Sequence, residues 1–88
     1  MNVSYKPSFF RSIKKIIDKQ LKTEIEQAIA SVKSAPEKSK IPELKKMKGY
    51  KVHYRIKVDV YRIGVTIENG LVTFIRFGPR KDFYKFFP

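Results

Sequence analysis

Arg55, Lys57, Arg62, Arg76 and Arg80, together with the phenol of Tyr84, stand at spacings that suit an anionic ligand. In YKVHYRIKV, residues 50–58, the cationic or polar set Lys51, His53, Arg55 and Lys57 alternates with Tyr50, Val52, Tyr54, Ile56 and Val58. A period of two puts each set on its own face of a strand. In YRIGVTI, residues 61–67, the apolar set is Tyr61, Ile63, Val65 and Ile67, which leaves Arg62 on the other face. Arg76 follows in a third apolar stretch, and the closing RFGPRKDFYKFFP carries Arg80, Lys81 and Tyr84 among phenylalanines. Grouped cations can hold a phosphate and stabilise charge that develops on it. His53 is the only histidine and there is no cysteine, so neither a metal ligand set nor thiolate chemistry is expected.

The composition points the same way. Twenty Lys and Arg against 8 Asp and Glu give a net charge of +12 over 88 residues. That excess makes a compact chain repel itself, which argues for a use. Nucleic acid is the leading partner class, because neutralising phosphates releases counterions; an anionic membrane surface and an acidic protein are the other two. A hydrophobic content of 42% is enough for one modest core and argues against disorder. The length fits a single domain, residues 1–88. No apolar run is long enough to span a bilayer and the start lacks a signal-peptide core, so the expected location is cytoplasmic.

The candidate cations need elements to position them. Residues 2–5 read as a short strand, and Pro7 suits the first turn of a helix. Phe9, Ile13, Ile16 and Ile17, then Leu21, Ile25, Ala28, Ile29 and Val32, recur at helical spacing. Two helices with a break near Asp18-Lys19 fit this pattern, as does one long helix. SAPEKSKIP, residues 34–42, reads as a loop, and ELKKMKG as a short connector. Three strands follow. A two-residue turn at Asp59-Val60 pairs Val58 with Tyr61, Ile56 with Ile63, Lys57 with Arg62 and Arg55 with Gly64, and it keeps the apolar sets on one face. Val60 is a poor turn residue, so a wider turn is the alternative. For the second hairpin, a two-residue Asn69-Gly70 turn would set Ile63 against Arg76 and mix the faces. A three-residue loop, Glu68 to Gly70, with Gly70 left-handed, restores them: Ile67 meets Leu71, Ile63 meets Ile75, Tyr61 meets Phe77, and Arg76 falls beside Arg62. The result is a sheet with one apolar face under the helices and one cationic face. Like charges directly opposite, as with Lys57 and Arg62, destabilise a sheet unless an anion meets them.

This order of elements resembles the RelE/ParE superfamily of bacterial type II toxins over nearly the whole chain. KPSFFRSIKKI is similar to the family's opening helix, YRIKVDVYRIGV to its central hairpin, and IRFGPRKDFY to its closing motif. The resemblance implies an α+β RelE-like fold, a small antiparallel sheet of the N-terminal strand plus a three-strand C-terminal meander, packed on two N-terminal helices. It implies a ribosome-dependent mRNA endoribonuclease that inhibits translation, needs no metal or cofactor, and is silenced by a cognate acidic antitoxin. Carried over position by position, it makes Lys57, Arg62, Arg80 and Tyr84 the catalytic candidates and Arg55 an RNA-binding one; Arg76 on the cationic sheet face, with Lys81 and Lys51, completes the RNA-binding candidates. The chain departs from the family where Asp59-Val60 replaces the usual Gly-Asp and where Pro79 precedes the arginine.

In such a reaction the RNA's own 2′-hydroxyl attacks the neighbouring phosphate. Arginine stays charged, so Arg62 and Arg80 take phosphate-holding roles first, with Arg80 as leaving-group acid by family analogy. Lys57 is the candidate base or transition-state stabiliser, and Tyr84 stacks on a base or orients the hydroxyl. Plainer readings stand beside these: Arg55 and Lys57 as a solvated strand face, Arg62 paired with Asp59 or Asp82, Tyr84 as packing. Two other functions fit the same residues, a ParE-like gyrase inhibitor without nuclease activity and a non-catalytic RNA-binding module.

Overall fold

The computed structural model describes residues 1–88. Its elements are β1 (Asn2–Tyr5), α1 (Pro7–Lys14), α2 (Lys19–Ser34), β2 (Leu44–Lys46), β3 (His53–Val58), β4 (Tyr61–Glu68), β5 (Leu71–Pro79) and α3 (Arg80–Phe86), with a 3₁₀ turn at Lys38–Lys40. The sheet runs β1-β5-β4-β3-β2. β1 joins parallel to β5, and the other pairs are antiparallel. It therefore has five strands where the sequence reading has four. ELKKMKG contributes the extra one: β2 pairs Leu44 with Ile56 and Lys45 with Arg55 at the sheet's edge. Three residues are too few to show an alternation, which is why they read as a connector.

Two helices form, and the break has a cause. The Asp18 carboxylate accepts hydrogen bonds from the N–H groups of Gln20 and Leu21, at 2.9 and 3.3 Å. It thereby caps α2 and starts it afresh. α1 stops at Lys14, so Ile17 leaves the helical stripe and stands 91% exposed. The apolar face of the sheet lies under α1 and α2. Phe9 and Phe74 are fully buried there with ring centroids 5.4 Å apart, and Tyr5 stacks on Phe74 at 5.3 Å. Ile25, Val32, Ile56, Ile63, Val65 and Val72 fill the rest of that layer.

The first hairpin has the register read from the sequence, from Val58↔Tyr61 through Arg55↔Gly64. Asp59 takes the left-handed conformation, φ 54°, which its short polar side chain tolerates. The second hairpin differs. Asn69 and Gly70 both have positive φ, 51° and 77°, and Glu68 pairs with Leu71 across a two-residue turn. The faces are not mixed, because the register shifts between Gly64 and Val65: Val65 faces Phe74, while Gly64 faces Arg76 and Ile63 faces Phe77. Ile75 is the extra residue of a bulge in mid-strand. The additional residue needed to keep the faces in order is present, but it sits in β5 rather than in the turn. As a result Arg76 lies opposite Gly64, not beside Arg62, which faces Gly78.

The bulge lies beyond the end of β1, where the edge of β5 would be open. α1 covers it with two serines. The Ser8 hydroxyl donates to the Ile75 carbonyl, and the Phe77 N–H donates to Ser12 Oγ at 2.9 Å. Paired backbone groups are what a partly buried edge requires.

The other face of the sheet is not open either. β5 passes into α3 without a loop, and the Arg80 N–H donates to the Val60 carbonyl at 2.8 Å. Phe83 and Phe87, one helical turn apart, bury themselves against the sheet, with ring centroids 5.2 Å apart. This is the room that Gly64 provides: a Cβ on it would lie 2.6 Å from the Phe87 ring.

Candidate nucleic-acid-binding site

Across the middle of the second face, Arg55, Gly64 and Arg76 form one cross-strand row. Phe87 stands on the central glycine. The tail therefore divides the cationic face, with Arg55 on one side and Arg76 on the other.

On the Arg55 side is a cavity of about 320 Å³. Arg55, Arg62, Arg80 and Tyr84 line it. These residues come from β3, β4 and the first two turns of α3. Arg80 and Tyr84 are four apart and share one side of α3, while Phe83 and Phe87 share the buried side. β2 and the residues after it add Lys45, Lys46 and Lys48 to the wall. Sequence reasoning missed these three. The available signal was the run KKMK before a Gly, but without β2 as a strand nothing placed it beside Arg55. No carboxylate lines the cavity.

Arg62 is the one buried charged residue of the chain. Its Nη1 donates to the backbone carbonyls of Asp59 and Tyr61, at 3.0 and 2.8 Å. Neither Asp59 nor Asp82 offers it a carboxylate; Asp82 instead pairs with Lys85 at 3.6 Å, the chain's only ion pair. Its Nε is buried without a hydrogen-bond partner. A buried, uncompensated charge is costly, and here the chain keeps one at the wall of a cationic cavity. Arg55 is half-buried, its Nη1 donating to the Glu43 carbonyl at 3.0 Å. Both arginines are thus held by backbone oxygens and retain free donors.

The remaining candidates lie elsewhere. Lys57 is the cross-strand partner of Arg62 and exposed, but it lines a different cavity, of about 270 Å³, with Glu24, Glu43 and Asp59. Lys81 borders a shallow depression with Val60 and Pro79 that shares Arg80 and Tyr84 with the main cavity. Lys51 is exposed in the segment before β3 and touches neither. Arg76 is on the far side of the Phe87 ring, with its guanidinium 4.7 Å from the Phe86 centroid. His53 packs between the rings of Tyr50 and Phe87, at 5.3 and 5.6 Å. Nowhere do three His, Cys, Asp or Glu side chains converge in a way that could hold a metal, and no helix is long and apolar enough to cross a membrane.

The sequence profile of the family described as ParE toxin of type II toxin-antitoxin system, parDE, matches residues 3–84. The chain belongs to the RelE/ParE superfamily of type II toxins. Among curated proteins, this toxin is similar to Toxin RelE3 of Methanocaldococcus jannaschii, 44% identical over 46 residues. The match takes in 52% of the chain, and it spans about half the length of that relative, 52%. Among solved structures, the toxin is similar to the RelB–RelE antitoxin–toxin complex from Methanococcus jannaschii, with a TM-score of 0.80 at 27% identity, covering 97% of this chain and 99% of that one. The intact Escherichia coli RelBE complex shares the fold at a TM-score of 0.69 and 16% identity, over 89% and 94% of the two chains. The α+β architecture expected from the resemblance is therefore present, with β2 and α3 added to it and with a mixed sheet in place of the expected antiparallel one, because β1 runs parallel to β5.

Proposed function

We propose that the toxin is a ribosome-dependent endoribonuclease that cuts mRNA with the cavity of Arg55, Arg62, Arg80 and Tyr84. The observation that carries this reading is the buried, incompletely bonded Arg62 in the wall of a cavity with no carboxylate. Such a cavity favours a ligand that brings negative charge, and most of all one whose charge grows during reaction.

The reaction breaks one P–O bond and makes another. The 2′-oxygen loses its proton and attacks the adjacent phosphorus, and the 5′-oxygen leaves with a proton. The products are a 2′,3′-cyclic phosphate and a 5′-hydroxyl. Arg62 and Arg55, fixed by backbone carbonyls, hold the non-bridging oxygens and meet the phosphorane's added charge. Arg80, at the start of α3, faces the leaving oxygen. The Tyr84 phenol, 47% of the residue exposed, orients the attacking hydroxyl or stacks on a flanking base. Proton removal falls to a lysine of the cavity wall, Lys45, which lies across from Arg55. The ribosome supplies the orientation of the strand. The net charge of +12 suits silencing by an acidic antitoxin, and the RelB–RelE complexes among the structural relatives support a partner of that kind.

The test is mRNA cleavage in a translating extract. Wild-type toxin should cut and Arg80→Ala should lose most of the cleavage; Tyr84→Phe should lose it where the phenol orients the hydroxyl and keep it where the ring stacks on a base. A second reading follows from the profile's own description as a ParE toxin: inhibition of DNA gyrase without cleavage. Inhibition of supercoiling by wild-type toxin, with intact mRNA in the extract, would replace the first reading by the second.

A further inference from the structure

Arg76 is the candidate cation that the cavity of Arg62 does not absorb. It lies in a second cleft, of about 530 Å³, between α1 and β5. Arg11, Lys14 and Lys15 of the α1 segment line the same cleft. Residues 11, 14 and 15 are spaced i, i+3 and i+4, which puts them on one side of a helical turn. No carboxylate lines this cleft, and none of its four cations takes part in an ion pair. Its two hydroxyls, Ser8 and Ser12, are committed to the backbone of β5. They fix the wall and leave the cations as the groups free to bind.

Arg76 reaches this position by construction. The bulge at Ile75 turns it onto the second face. Phe87 on Gly64 walls it off from Arg55, and the Phe86 ring lies 4.7 Å from its guanidinium. Phe86 is itself 59% exposed and does not line the cleft, so its ring covers one side of the guanidinium from outside. Four uncompensated cations so close together cost self-repulsion that an anion would relieve.

We infer that this cleft is a second phosphodiester-binding site, which takes the backbone of an RNA strand other than the one in the cavity of Arg62. The inference rests on the nuclease reading only in taking RNA as the ligand. The two clefts share no lining residue, and the Phe87 ring on Gly64 stands between Arg76 and Arg55, so one phosphate cannot bridge both. A planar bilayer would meet the exposed helix cations and miss the half-buried Arg76; a flexible single strand reaches all four.

The test is binding of a fluorescein-labelled 12-nucleotide oligouridine, followed by anisotropy from about 50 to 200 mM salt, a range over which phosphate contacts are strongly screened. The double variant Arg11→Gln, Lys15→Gln removes two exposed cations without touching the core, and Arg76→Gln supplies an independent arm. The double variant should weaken binding about tenfold near physiological salt and flatten the slope of log affinity against log salt by about 1.4, two contacts at about 0.7 each on a single strand. At saturation the wild type should hold two hexamers of uridine and Arg76→Gln one. Unchanged affinity, slope and stoichiometry would overturn the proposal, as would variants that lose melting temperature but no RNA. Weaker binding to anionic lipid vesicles with RNA binding intact would overturn it in favour of a membrane surface. A wild type that binds two hexamers yet never cuts mRNA in an extract would sink the nuclease reading and leave this one standing.

Discussion

Phe87 rests on Gly64, so closely that a methyl group on the glycine would lie 2.6 Å from the ring. That contact joins the end of the chain to the centre of the sheet. It fixes how far α3 stands from β4, and with it where Arg80 and Tyr84 meet Arg62. Gly64→Ala should therefore lift the tail. The expected cost is about 1–3 kcal/mol, as for other overpacked sites, with loss of cleavage. In a Phe87→Ala background the same substitution should cost much less, because the two positions share one contact. Urea denaturation of the four proteins checks this; additive costs would show that the tail does not rest there.

Arg62 and Arg80 should separate fold from function. Arg62 is buried and bonded to two carbonyls. Arg62→Ala should cost stability, about 1–3 kcal/mol for acceptors left without a donor, as well as cleavage. Arg80→Ala, at an exposed site, should unfold like the wild type and still lose cleavage. A cleavage assay beside a thermal melt distinguishes the two. Equal stability of both variants would contradict the burial of Arg62.

The α1 serines should matter out of proportion to their size. Ser12→Ala leaves the Phe77 N–H without its 2.9 Å acceptor, at an expected cost of about 1–3 kcal/mol. Hydrogen exchange should then rise at Phe77 and its neighbours first. Uniform protection across β5 in the variant would mean that the edge finds another partner.

Asp18 offers a simpler check on how the two helices are divided. Asp18→Ala removes the acceptor for two amides of α2 and should lower stability by about 1 kcal/mol. Asp18→Asn, which still caps, should recover most of it. A melting curve of each variant reads the difference.

The parts legible in the sequence were those governed by periodicity. The alternation in 53–58 and 61–68 set the first hairpin's register residue by residue, because a slip by one would have exposed Ile56 and Ile63 together. The family motif gathers Arg55, Lys57, Arg62, Arg80 and Tyr84; all but Lys57 share one cavity. What escaped was governed by contacts distant in sequence. β2 is a strand only because β3 lies beside it. The extra residue of the second hairpin is at Ile75 because Ser8 and Ser12 can bond the distorted edge there, 67 and 65 positions away. Arg76 is grouped with Arg62 by strand parity, and Lys57 by parity and the family motif together; neither says anything of a ring standing on Gly64 or of where a cavity ends.

The short β2 has a consequence for how the molecule behaves in a crowd. It is the outermost strand on its side and offers only three residues, two of them the exposed lysines 45 and 46. An edge so brief and so positive is a poor template for another copy of the same chain, since like charges would face each other along the seam. Aggregation through this edge is thus discouraged by the same ammonium groups that ring the cavity. A foreign strand that extends the sheet here must bring carboxylates to meet them, and in docking it would close the cavity's mouth.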